Sequence, residues 1–160
     1  MGTVIDRLYR LAYRIAYPIA IVTFRVFRVR LVGVFVFIWY GDRFLLVKNS
    51  YRHLYSLPGG LINRGETPLA AAIRESREEV GIQLQADQLR PAHFLCDSYQ
   101  GTAHLYEIHL AEQPCVTIDR REIVWADFVT VPEALTRPLN TEIKLYLASL
   151  TTPAGAEASP

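Results

Sequence analysis

"GGLINRGETPLAAAIRESREEVGI", running from Gly59 to Ile82, is the stretch from which the rest of the chain is read. Thr67 suits an N-cap and Pro68 the first helical position. Alanines and a leucine follow, which favour helix, and Gly81 stands where a left-handed residue ends one. The pattern predicts a helix over Pro68–Val80, with Leu69, Ala72, Ile73 and Val80 facing a sheet. On that helix Glu75, Glu78 and Glu79 are spaced i, i+3, i+4, so they share a face in the last two turns. Like charges repel there, and the negative end of the helix dipole repels them again, each effect costing a few tenths to about 1 kcal/mol. A solvated face balanced by Arg74 and Arg77 is one explanation. A cation site is the other, since convergent carboxylates are hard oxygen ligands suited to Mg²⁺ or Mn²⁺.

Outward from this helix the chain alternates strand and turn patterns. Residues from about 21 to 48 are rich in valine, phenylalanine and isoleucine, and Gly41-Asp42 divides them as a hairpin turn. "SYRHLYSLPGG" reads as a loop. Further strands are expected in "AHFLCDS", "AHLYEIHL" and "EIVWADF". Leu139, Ile143, Tyr146, Leu147 and Leu150 mark a late amphipathic helix. Before the first strand, residues 3 to 17 form a helical pattern. Val4, Ile5, Leu8, Leu11, Ala12, Ile15 and Ala16 line one stripe, Arg7, Arg10 and Arg14 another face, and Pro18 is expected to end or kink it. The organisation that follows is a helical extension over 1–20, a core of mixed sheet and packed helices over 21–150, and a loose polar tail over 151–160.

The 160 residues suit one domain, and 51% hydrophobic with 21% charged is an ordinary globular composition. A net charge of +1 sets up no global field for nucleic acid or membrane, so no stable nucleic-acid partner is expected. Two cysteines, Cys96 and Cys115, are too few for a disulfide framework and read as free thiols of a reducing cytoplasm. Arginines interrupt every apolar run long enough to span a bilayer, and no cleavable leader is read at the start.

Taken as a pattern, the opening stretch is Gly60, five residues, Glu66, seven residues, Arg74-Glu75, Ser76, Arg77, Glu78-Glu79, Val80, Gly81, Ile82. It resembles the Nudix box, the signature of the MutT-like Nudix hydrolases. Every fixed position matches, and one position departs: Ser76 sits where that family usually has an aliphatic residue. "SLPGG" and "EIVWADF" extend the likeness. The resemblance implies an α/β fold, a Nudix-type α/β/α sandwich with a mixed β-sheet. It implies metal-dependent hydrolysis of the P–O–P linkage in a nucleoside diphosphate derivative or related phosphoanhydride, leaving a monophosphate and a phosphorylated remainder. It further implies that Glu78 and Glu79 are the main ligands of Mg²⁺ (or Mn²⁺). Glu75 is a ligand or the base, Gly60 offers its carbonyl, Arg74 orients a carboxylate, and Glu66 braces the loop through an ion pair.

Other residues carry weaker signals. Tyr51, His53 and Tyr55 lie in the loop before the box and could border substrate, although loop packing explains them as well. Glu122 lies where relatives often supply a further carboxylate. His93, His104 and His109 lack metal-ligand spacing, and Trp125 reads as core. Two other functions stay open: an enzyme of the same fold acting on an isoprenoid or lipid-linked diphosphate, and a binding module without catalysis. The stripe of residues 3 to 17 is expected to pack on the protein's own sheet or in a homodimer. Contact with an anionic membrane surface is the less favoured alternative.

Overall fold

The computed structural model describes residues 4–27, 31–98 and 101–151, without the side chains of 21, 24, 25, 93–98, 101, 142 and 151. The elements are α1 (Val4–Val26), β1 (Leu31–Tyr40), β2 (Arg43–Asn49), β3 (Tyr55–Ser56), β4 (Gly59–Leu61) and α2 (Pro68–Val80). They continue with β5 (Arg90–Ser98), β6 (Gly101–Leu110), β7 (Ile123–Thr130), α3 (Val131–Leu135) and α4 (Thr141–Thr151).

Strand β1 is the spine. It runs parallel to β6 along its whole length, from Leu31 beside Gly101 to Tyr40 beside Leu110. Its other edge is shared. The hairpin partner β2 meets it only at Trp39–Phe44 and Tyr40–Arg43, then diverges. The short β4 fills the opening with Gly33–Leu61, Val34–Gly60 and Phe35–Gly59. Antiparallel β5 extends the sheet beyond β6, and β7 and β3 flank β2.

Alternation along β1 and β2 makes two cores, because successive strand residues face opposite ways. Val34, Val36, Ile38, Leu45 and Val47 pack with Ala71, Ala72 and Val80 of α2. Phe37, Trp39, Phe44 and Leu46 pack with Ala134 of α3 and with Ile143 and Leu147 of α4. The result is the expected helix–sheet–helix sandwich around a mixed sheet. Helix α2 occupies the expected residues, with Thr67 accepting from the Ala70 amide and Gly81 left-handed at φ 73°.

Several expectations fail in the details. Helix α1 does not stop at Pro18 but passes through it to Val26. Residues 21–26, expected as strand, are therefore helical. Their β-branched run suggests a strand, but Ile15, Ile19, Val22 and Val26 keep helical spacing, and Pro18 lies on the exposed side of the helix. Nor does the α1 stripe pack on the sheet. Val4, Leu8, Leu11, Ile15, Ile19 and Val22 are each more than half exposed. The opposite strip, Asp6, Arg10, Tyr13, Tyr17 and Ala20, is the side that is partly buried. Leu150, expected in the stripe of α4, is exposed. Strand β3 and most of β4 come from the stretch read as loop, and helix α3 from one to which no element was assigned. Cys115 is a free, exposed thiol. The tail from residue 152 onward and the side chains of His93 and Cys96 lie outside the described residues.

Candidate active site

The site is built where β4 crosses under α2. Gly59 lies so close to β1 that a methyl group on it would sit 2.1 Å from the Val34 carbonyl oxygen. The close approach leaves the Gly59 amide aimed at α2, where it donates to Glu79 Oε2 at 2.9 Å. Glu79 is 6% exposed. Burial pushes its carboxyl up to about 9, with repulsion from Glu122, Glu75 and Asp119 adding and the Gly59 bond opposing. Among the described residues Glu79 forms no ion pair with lysine or arginine.

Gly60 makes room for Glu75. A methyl group at Gly60 would stand 2.5 Å from Glu75 Oε1. Burial raises the Glu75 carboxyl as well, against the pull of Arg74. Arg74 organises the rest of the box. Its Nε donates to Glu66 Oε1 at 2.8 Å and Nη2 to Glu66 Oε2 at 2.9 Å, a bidentate pair. Nη1 donates to Glu75 Oε1 at 2.7 Å and to Glu78 Oε2 at 3.3 Å, and Nη2 also reaches the Leu61 carbonyl at 3.0 Å. Glu66 accepts in addition from the Asn63 amide, and these bonds, Arg74 foremost, hold its carboxyl at about 2. Arg74 and Glu66 thus tie the loop before α2 to the helix and to β4.

Ser76, the departure from the box pattern, is fully buried, and its hydroxyl donates to the Ala72 carbonyl at 2.8 Å. A buried hydroxyl needs a partner, and the preceding helical turn supplies one. Past Val80 the chain leaves the helix through a bond from the Gly81 amide to the Arg77 carbonyl at 3.1 Å.

The three box glutamates do not share one exposed face. Glu79 turns inward, Glu75 lies between Arg74 and Gly60, and Glu78 is exposed beside Arg74 and Arg77. Among the described residues no three carboxylate, histidine or cysteine side chains converge closely enough to enclose an ion. The donor set nevertheless suits a divalent cation. Among the described residues Glu79 is a buried carboxylate without a lysine or arginine partner, its field is reinforced by Glu75 and Glu122, and the missing side chain at Gly60 leaves room for the Glu75 carboxylate.

Glu122 enters the site through the loop before β7. Asp119 accepts from the amides of Arg121, Glu122 and Ile123, which shapes that loop. The Tyr51 hydroxyl donates to Glu122 Oε1 at 2.5 Å. The Tyr51 ring is packed by Tyr13, centroids 5.6 Å apart, and by Tyr17 at 4.8 Å. So α1 reaches the site indirectly, which nothing in its own pattern indicated. Asp119 was also missed, and its only signal is an aspartate just before a charged turn. Of the other loop candidates, Tyr55 packs edge-on against Trp125 beneath Lys48 and Arg137. His53 is exposed, and its carbonyl accepts from the Lys48 ammonium.

The sandwich, the glycine-cleared β4 and the Arg74-centred box together define a Nudix-type site. Residues 29–150 match the NUDIX domain model, and the chain belongs to that family. Over 60 residues it is 43% identical to an RNA pyrophosphohydrolase of Bartonella clarridgeiae, a match covering 32% of this chain and 35% of that protein. The matched part is thus about a third of that relative's length. Two solved structures share the fold. A C. elegans Ap4A hydrolase binary complex has TM-score 0.63 and 23% identity, covering 74% of this chain and 94% of that one. A MutT protein from Methanosarcina mazei has TM-score 0.59 and 18% identity, covering 75% and 91%.

Proposed function

We propose that the chain is a Mg²⁺-dependent hydrolase (Mn²⁺ also serving) that cleaves the P–O–P linkage of a nucleoside diphosphate derivative or related phosphoanhydride. The observation that carries this is Glu79, a buried carboxylate with repelling carboxylates around it and no basic partner. Once ionised, such a group is stabilised by a cation in place of its proton. The relatives named for RNA pyrophosphohydrolase and Ap4A hydrolase activity support a phosphoanhydride of a nucleotide as substrate. We place the reaction among the soluble nucleotides of the cytoplasm.

Glu79, Glu78 and Glu75 would hold the ion, with the Gly60 carbonyl as a further donor. When bound, a divalent ion neutralises diphosphate oxygens and acidifies water. Arg74 sets the direction of Glu75 and Glu78, and Glu66 fixes Arg74. Glu75 would serve as the third carboxylate ligand or as the proton acceptor, a role that its raised proton affinity suits. Tyr51 steadies Glu122 at the site's edge, and His53 and Tyr55 lie on the loop that would border the substrate.

The test is a panel of nucleotides, nucleotide sugars, dinucleoside polyphosphates and isoprenoid diphosphates with Mg²⁺, read by product mass. A nucleoside monophosphate and a phosphorylated remainder are expected. Activity should vanish in excess chelator and return with Mg²⁺ or Mn²⁺. Turnover that persists in chelator, with tightly bound metal excluded, overturns the metal's role. Turnover of isoprenoid diphosphates alone reassigns the substrate.

Gly60→Ala probes the space beside Glu75. The new methyl group drives the carboxylate aside rather than the backbone, since its nearest neighbour is the end of a flexible side chain. The rate should fall about 100-fold, the scale of a misplaced catalytic group. Stability should change by about 1 kcal/mol at most. A full rate in the purified variant shows that Glu75 tolerates displacement.

A further inference from the structure

The two sides of α1 are used in reverse of the usual order for a surface helix. Its polar and aromatic strip docks on the domain. Arg10 donates to the Arg120 carbonyl at 2.6 Å, Arg14 to the Ser50 carbonyl at 3.2 Å, and Arg121 meets Asp6 at 3.4 Å. Tyr13 and Tyr17 pack on Tyr51, and Arg52 lies over the Tyr17 ring at 4.9 Å. Those contacts fix the roll of the helix. They leave Val4, Leu8, Leu11, Ile15, Ile19, Val22 and Val26 pointing away from the body, 55–74% exposed. The spacing is i, i+4, i+7, i+11, i+15, i+18, i+22, one unbroken stripe along 23 residues. A helix of that length spans about 34 Å. Water-facing apolar stripes of this length mark contact surfaces.

Charge selects the occupant. Residues 1–30 carry six arginines and one aspartate, net +5, whereas residues 31–160 carry eleven basic and fifteen acidic side chains, net −4. The uniform +1 of the whole chain hides this separation. Exposed Arg7 stands at one margin of the stripe beside Leu11, and Tyr9, 46% exposed, stands at the other. A two-fold pairing of α1 with a second copy would bring two +5 segments together. A surface that is apolar within and anionic at its boundary satisfies both the stripe and the arginines. Among the described residues no helix is long and apolar enough to cross a membrane, so the helix would lie in the surface.

We propose that α1 is an interfacial anchor, its Val4–Val26 stripe seated in the headgroup boundary of an anionic phospholipid bilayer. The anchored domain hangs from the polar strip of the same helix. Since Tyr51 links that strip to Glu122, the anchor and the candidate site share one packing unit.

The test uses the full chain and vesicles, and reads no hydrolysis. The protein should sediment with vesicles of equal parts phosphatidylglycerol and phosphatidylcholine, and about tenfold less with phosphatidylcholine alone or at high salt. Leu8→Gln/Leu11→Gln/Ile15→Gln/Ile19→Gln should abolish binding with an unchanged circular dichroism spectrum, because all four side chains already face out. Arg7→Gln, which leaves the docking contacts of Arg10 and Arg14 in place, should weaken binding to the anionic vesicles only. Failure of the unaltered chain to bind anionic vesicles overturns the proposal. So does a dimer, seen by analytical ultracentrifugation, that the fourfold variant splits, which would assign the stripe to a second copy. Equal binding to both vesicle types overturns the anionic preference.

Discussion

Glu79→Gln is expected to lower the rate by three orders of magnitude or so while making the metal-free protein more stable, a combination that few core substitutions produce. The amide keeps the shape and can still accept from the Gly59 amide. It removes the charge that a divalent ion would need and that burial penalises. The carboxyl, normally near 4.5, is held at about 9 in the folded chain. Its folded pKa is therefore raised, so its contribution to stability is complete below the ordinary carboxylate range. That contribution is lost as pH rises toward 9. Glutamine has no such dependence. In chelator the variant should gain on the order of 3 kcal/mol over the parent at pH 8, and little at pH 5. Urea unfolding at the two pH values checks the sign. Mg²⁺ should then raise the midpoint of the parent and leave the variant unmoved. A parent whose stability is flat across this range would show that Glu79 is better solvated than its burial implies. Undiminished turnover by the variant would remove Glu79 from the metal site.

Gly59→Ala is expected to be the most damaging glycine-to-alanine change among the described residues. Its Cβ would lie 2.1 Å from the Val34 carbonyl oxygen and 2.8 Å from the Phe35 Cα, both backbone of the central strand. The backbone angle, φ 152°, is also one that side chains rarely adopt. Neither strand can move without breaking the β1–β4 pairing, so a loss of about 3 kcal/mol or more is expected. Thermal unfolding should drop by about 10 °C for a domain of this size. The contrast with Gly60→Ala is the useful part. The neighbouring glycine faces a movable carboxylate and should lose rate instead of stability. Equal unfolding temperatures for the two variants would mean that β4 is not pinned as described.

How far the chain could be read without its fold differs from element to element. Helix α2 was legible from end to end because its cap, its first proline and its closing glycine all act within one or two turns. The strand pattern of β1 and β2 was legible because residues that alternate between two cores are apolar in a continuous run. Pro18 misled: a single breaker residue lost to a stripe that continues in register on both sides of it. Strands β3 and β4 were illegible because so short a strand is made by its partner, not by its own composition.

The candidate site divides along the same line. By itself the sequence determined that Glu66, Arg74, Glu75, Glu78 and Glu79 belong together, since a fixed spacing on one helix and its leading loop needs no distant partner. It also determined that α1 has an apolar stripe and a basic face. Only the tertiary structure decided which glutamate is buried, because that depends on β4 crossing at Gly59. Only the tertiary structure brought Tyr51 to Glu122, across 71 residues, and the Asp119–Glu122 turn to Glu79. It alone decided which side of α1 meets the domain. Periodicity shows that a helix has two faces. Which one docks is set by the surface on offer, and here residues 50–52 and 119–122 offer carbonyls, an aromatic ring and charge, so the polar face turns inward and the apolar stripe is left outside.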